Sequence, residues 1–289
     1  MTDSDYPALY QAADAASVRS QNVYLRCVKW YAALSILGGG LGSYGIESRA
    51  MAAAAAIVFS IGLFLSVLMA ARKYENMWYR ARAVAESIKT SSWRFMMGAN
   101  PFDYRVTPND ATLNFMGLLQ KILREHKDFG AEFGGAIVEN AEISARMLHV
   151  RSSSLSDRKR IYEEERIVEQ RGWYAGKSKY NYGQGQLWFW LLVALQGSAI
   201  FFTVLRIVEP SWKYLPTEVF VVAATSALGW IQVKRFRELA AAYAVAAHEI
   251  GLAQAELAAV ATEDQWSQFV ADTEHAFSRE HTHWIARKR

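Results

Sequence analysis

Trp78, Arg82, Glu86, Lys89 and Trp93 follow one another at spacings of four, four, three and four, so a helix through them would carry one aromatic and charged stripe, with Arg94 beside it. Guanidinium and ammonium groups donate hydrogen bonds to phosphate and indole rings offer stacking faces, which is the chemistry of an anionic, nucleotide-type ligand. The same residues equally suit a helix that packs its Trp stems and solvates its charges, and spacing alone does not separate the two. Arg82 stands ten residues beyond the basic pair Arg72 and Lys73. That is about 15 Å of helix, where a Debye length of roughly 8 to 10 Å has screened most of the pull of anionic headgroups.

Other chemistry is absent from the pattern. Metalloprotease ligands need two His four apart on one helical face, and "HEIGL" at His248 lacks the second. His275, His281 and His283, at separations of six and two, do not converge on a helix. "GGGLG" at Gly38 follows no strand pattern and precedes no lysine, so it is not a phosphate loop. The expectation is a protein that is not an enzyme and that takes neither metal nor cofactor. A single cysteine, Cys27, excludes an internal disulfide and fits a cytoplasmic face.

The elements that must position these residues are apolar. Ala50 to Ala71 and Tyr180 to Leu205 carry no charge and are long enough to span a bilayer; Trp30 to Ile46 and Val219 to Val233 are shorter companions. Together they form two hairpins with charge-balanced loops (Glu47 with Arg49; Arg206, Glu209, Lys213 and Glu218) and basic outer flanks. The positive-inside rule then predicts an all-α integral membrane protein with four transmembrane helices, about 30–46, 50–71, 187–205 and 216–233. It would be a multi-pass protein of the cytoplasmic (inner) membrane with both termini cytoplasmic, Trp188, Trp190, Trp212 and Trp230 lying toward the span ends as an interfacial belt. The polar opening "MTDSDYPALYQAADAASVRS" does not read as a secretory signal. A soluble all-α protein with buried apolar helices is the competing interpretation.

The chain also repeats itself. Tyr74, Met77, Ala81, Val84, Ile88, Ser91 and Phe95 superimpose at an offset of 162 residues on Phe236, Leu239, Tyr243, Ala246, Ile250, Ala253 and Leu257, and Arg72 and Lys73 fall on Lys234 and Arg235. The implied organisation is a first repeat over 1–100, a cytoplasmic connecting segment over 101–154 and a second repeat over 155–289, with long helices extending from the spans into a cytoplasmic bundle. Ala50 to Phe95 would be one unbroken helix and Val219 to about Ala261 its mate. The second is Ala-rich on the face opposite its stripe, which predicts that it is central and the first peripheral. Within the connecting segment "DATLNFMGLLQKILREHKDF" predicts an amphipathic helix and "FGAEFGGAIVENAE" a Gly-rich connection. Ser154 or Ser156 suits an N-cap, and Arg158, Lys159, Arg160 and Glu163 to Glu165 suit a solvated face.

No span carries a charge at its centre, which argues against a proton relay, a voltage sensor or an ion-coupled transporter. A pore would be lined by small and weakly polar groups: Ser35, Gly39 and Ser43 in the first span, Gln196 in the third, and Thr225, Ser226 and Gln232 in the fourth. Helix packing and interhelical hydrogen bonds account for the same residues, and Gly38 and Gly42 form a small-xxx-small pair suited to close approach.

"RAVAESIKTSSWRF", "RIVEQRGWYAGKSKYN" and "FSREHTHW" resemble the signatures of the SLATT superfamily, two-transmembrane-helix modules of prokaryotic nucleotide-linked conflict systems. The resemblance runs from about Tyr6 to Arg289 and comprises two modules in tandem. It implies a homo-oligomeric effector of antiviral defence that opens a pore or ion channel under a cyclic nucleotide or oligonucleotide signal, alongside a partner nucleotidyltransferase. It supplies no catalytic residue. The positions it singles out are Glu86, Lys89 and Trp93; Arg166, Gln170, Trp173 and Tyr174; and Arg279, Glu280, His281 and Trp284. The stripe and the resemblance together place the expected ligand contacts among Trp78, Arg82, Lys89, Trp93, Arg94, Arg166, Arg279 and His281, although ion pairing and Trp packing within the bundle would use the same groups. The alternative function is a non-conducting tetraspan scaffold that recruits a cytoplasmic partner.

Overall fold

The computed structural model describes residues 1–45, 48–126, 141–212 and 214–286, with side chains as far as 277. Glu47, Lys213 and most of the Gly-rich connection lie outside the described residues. Among those described there is no strand, and the order of helices is α1 Ala8–Tyr44, α2 Arg49–Arg72, α3 Tyr74–Met97, α4 Pro108–Glu125, α5 Ala145–Ser152, α6 Leu155–Tyr162, α7 Glu169–Val208, α8 Thr217–Lys234, α9 Phe236–Glu256 and α10 Glu263–Ala286. A π-helical stretch, Glu163–Val168, joins α6 to α7.

Local sequence explains where these helices begin. Ser48 caps α2, Thr107 with Pro108 at the first turn caps α4, and Ser154 rather than Ser156 caps α6 by accepting the Asp157 N–H at 3.2 Å. The predicted unbroken helix from Ala50 to Phe95 is interrupted. Lys73 adopts a left-handed conformation (φ 48°) between α2 and α3, and Arg235, its equivalent at the 162-residue offset, does the same (φ 48°) between α8 and α9. Neither junction contains Gly or Pro, so nothing in the local sequence announces the break. Its recurrence at the repeat offset extends the duplication from side-chain pattern to backbone.

The chain divides into two compact units, one formed by 1–20, 75–177 and 242–289, the other by 21–74 and 178–241. The second unit gathers the apolar parts of α1 and α7 with α2 and α8. Its packing is inverted relative to a soluble core: small residues such as Ala55, Gly62, Ala199 and Ala224 are inside, while Leu63, Phe64, Trp190 and Ile200 are each more than 60% exposed. In the most apolar windows of 49–97 and 155–208 only 11% and 6% of residues are buried, which sets them apart from the buried core helices of a soluble protein. Close approach occurs at Gly39, where a Cβ would stand 3.1 Å from Val222 Cγ2 of α8, and at Gly38, 2.7 Å from the Phe59 ring of α2. Gly42 meets nothing within 4 Å, so the contact uses neighbouring glycines rather than the four-residue pair.

In the first unit the repeated stripe is the core. Ala81, Val84, Ile88 and Phe95 of α3 are at most 2% exposed, and Ala246, Ile250 and Leu257 of the second copy at most 8%. The order of centrality is the reverse of the sequence expectation. Within the chain α3 is the enclosed helix, burying ten residues including Trp93, Met96 and Met97, whereas α9 leaves Val245 57% and Leu252 68% exposed. Bulky groups at the end of α3 bury more surface than a run of alanines.

Candidate functional site

The polar residues of the first unit are built around a buried ion pair. Arg166, carried inward by the π-helical stretch, is 1% exposed, and its Nε and Nη2 donate to the two carboxylate oxygens of Glu274 on α10 at 2.8 and 2.7 Å. Tyr162 donates to the same carboxylate at 3.0 Å. The Arg166 guanidinium also lies 4.6 Å from the Phe277 ring centroid and 5.9 Å from that of Trp93. Burial lowers the tendency of Arg166 to hold its proton, but Glu274 more than offsets this, so its pKa is raised. Burial, reinforced by Glu274, pushes the Tyr162 phenol well above its ordinary value.

The α3 stripe is drawn into the same interior. Trp93 is fully buried and donates its indole N–H to Tyr6 Oη at 2.9 Å. Arg82 bonds Asp14 of α1 at 3.1 Å and Glu86 one turn along its own helix at 2.5 Å. Arg94 donates to the Ala271 carbonyl at 2.9 Å. Lys89, 5.5 Å from the Tyr6 ring centroid, has its pKa lowered by burial and then by Arg166. Of the remaining named positions, Tyr174 is buried, Trp173 packs edge-on against Tyr174 and Tyr243, and Arg279 and His281 lie in α10 where the backbone alone is described.

Two further arginines, read from sequence as solvated or not singled out at all, hold the C-terminus of α3. Arg158, 5% exposed, donates to the Met97 carbonyl at 2.5 Å and pairs with Glu263. Arg151 donates to the carbonyls of Phe95 at 2.7 Å and Phe102 at 2.9 Å. Carbonyls at and just beyond the end of α3 thus meet cationic donors. Glu274 and Tyr6 also escaped the sequence reading. The signal for Glu274 was available: with Trp266, Phe269, Val270, Thr273 and Phe277 it occupies the apolar face of α10.

In the apolar unit the weakly polar residues differ in exposure. Gln196, Thr225 and Gln232 are exposed, while Ser35, Gly39, Ser43 and Ser226 are half-buried. Ser35, Ser43 and Thr225 donate to carbonyls four residues earlier in their own helices, at 2.8 to 3.0 Å, so their hydroxyls are satisfied without an interhelical partner. Trp188 and Trp230 lie 6.0 Å apart, with the ammonium groups of Lys29 and Lys234 within 6 Å of the Trp230 ring centroid.

Helices that show large apolar side chains outward and keep small ones inside, with no strand among the described residues, define an all-α membrane protein. Residues 7–159 match the family described as SMODS and SLOG-associating 2TM effector domain 3 (SLATT_3), and residues 162–284 match SMODS and SLOG-associating 2TM effector domain 1 (SLATT_1). The chain belongs to the SLATT family, as the resemblance of its motifs implied, and it is a membrane effector of conflict systems. No curated protein and no solved structure matches it.

Proposed function

We propose that this effector acts as a homo-oligomeric pore or ion channel of the cytoplasmic membrane in antiviral defence, gated by a nucleotide-derived ligand. The observation that carries the proposal is the superposition of two successive 2TM effector domains on a unit of four apolar helix segments without a central charge. Each domain contributes one hairpin, giving four spans with both termini cytoplasmic. Gln196, Thr225 and Gln232 are exposed in the single chain, which favours a lumen assembled from several chains over one inside each. The anionic ligand, supplied by a partner nucleotidyltransferase, is drawn to the Lys89 region, whose ammonium is held over Tyr6 among Arg82 and Arg166.

The test is leakage of ions from liposomes loaded with purified protein, with and without cyclic nucleotides and oligonucleotides. Ligand-dependent leakage lost in an Arg82→Ala, Lys89→Ala double variant that still inserts supports both pore and site. A second reading, a non-conducting tetraspan scaffold with no enzymatic activity, is favoured by the internal pairing of Arg82, Arg94 and Arg166. Intact liposomes under every condition select it.

A further inference from the structure

Helix α9 carries two stripes at three-and-four spacing. One packs into the core of its unit through Ala246 and Ile250. The other consists of Val245, His248, Leu252 and Ala255, and all four are exposed. A face with this spacing, Val and Leu alternating with a histidine and an alanine, has the pattern of a two-helix seam.

The repeat shows what is missing from it. At the 162-residue offset these positions correspond to Ala83, Glu86, Thr90 and Trp93 of α3. There the face is covered from within the chain: Ala83 and Glu86 are half-buried, Thr90 is 6% exposed and Trp93 0%. On α9 nothing among the described residues covers it. We infer that the outward face of α9 is where two copies of this chain meet, with Val245 and Leu252 as the central knobs.

The edges of the seam favour a second copy over an unrelated partner. Glu249 and Glu256 flank one side, exposed and without an ion pair among the described residues. The other side is basic: Arg171 reaches from α7 to bond Gln254 at 3.1 Å and lies about 3.4 Å from where a Gly251 Cβ would stand. Two parallel copies bring the acidic edge of each against the basic edge of the other. Gly251 and Ala255 have no bulk to keep the backbones apart. His248 at the middle of the seam is the polar residue that sets register at some cost in affinity. The patch is only about two heptads long, and confinement of both chains to one bilayer raises their effective concentration enough for so short a contact to count.

The inference rests on the oligomeric reading above, and the experiment separates the two. In a Cys27→Ser background, Val245→Cys or Leu252→Cys in native membrane vesicles should give a covalent dimer with a short bismaleimide, and Leu113→Cys, on the exposed face of α4, should not. Leu252→Glu placed on the Val245→Cys chain should lower the dimer yield roughly tenfold, since an exposed leucine loses its burial in the pair. Glu256→Arg should lower it as well, and adding Arg171→Glu should restore it. The helical circular dichroism of each variant reports that the fold survives. Equal dimer from Leu113→Cys, no dimer from either seam position, or adducts only with a different polypeptide overturn the inference. Leakage without seam crosslinks leaves the pore standing and removes this surface; crosslinks without leakage do the reverse.

Discussion

Removing one partner from the Arg166–Glu274 pair tests the account of the polar unit's core most severely. In Glu274→Gln the guanidinium stays where it is, 1% exposed, loses two charge-assisted hydrogen bonds of 2.7 and 2.8 Å and keeps only the Phe277 and Trp93 rings and an amide oxygen. An uncompensated buried charge costs about 3 to 5 kcal/mol. For a unit of this size each kcal/mol moves the melting temperature by about 2 to 4 °C, so the unfolding step followed by circular dichroism should fall by roughly 6 to 20 °C. The triple variant Tyr162→Phe, Arg166→Met, Glu274→Leu removes both charges together with the hydroxyl that bonds them, and fills comparable volume. It should recover most of the loss, because a buried pair and its hydrophobic replacement are often near-equivalent in stability. A Glu274→Gln protein that melts within about 2 °C of the parent would refute the argument, since it would mean that water or another anion already compensates Arg166.

Two further outcomes follow from the apolar unit. Gly39→Leu should abolish correct assembly, because a Cβ there already stands 3.1 Å from Val222, whereas Leu37→Ala, at a side chain 52% exposed, should be tolerated; gel filtration in mild detergent distinguishes them. In the Cys27→Ser background Ser48→Cys and Ser211→Cys, on the two hairpin loops, should react with a membrane-impermeant maleimide from outside intact cells, and labelling only after lysis would refute the four-span topology.

The parts of this protein that were legible in the sequence are those set by periodicity and local chemistry. Ile88 and Ile250 announced the core stripe of each repeat, and Ser154 announced a helix start. What was not legible depends on partners distant in the chain. Arg158 looks solvated beside Lys159 and Arg160, yet it is buried, joining the Trp266 indole N–H in donating to the Met97 carbonyl 61 residues earlier. Arg166 and Glu274 are 108 residues apart, and their neighbours give no sign that each neutralises the other. The Ala-rich face of α9 suggested a central helix. Within the chain, however, α3 is the enclosed helix, because Trp93, Met96 and Met97 bury more surface than a run of alanines.

The paired left-handed residues carry a consequence of their own. A side chain at φ near +48° costs roughly 1 to 2 kcal/mol relative to the right-handed helix, and neither Lys73 nor Arg235 has the glycine that would relieve it. The native packing therefore holds two helices broken against their own local preference, each one residue away from running on unbroken. Like a pair of cocked latches, they make the continuous form of each helix locally downhill. The same cost is carried twice over, once in each half of the duplicated chain.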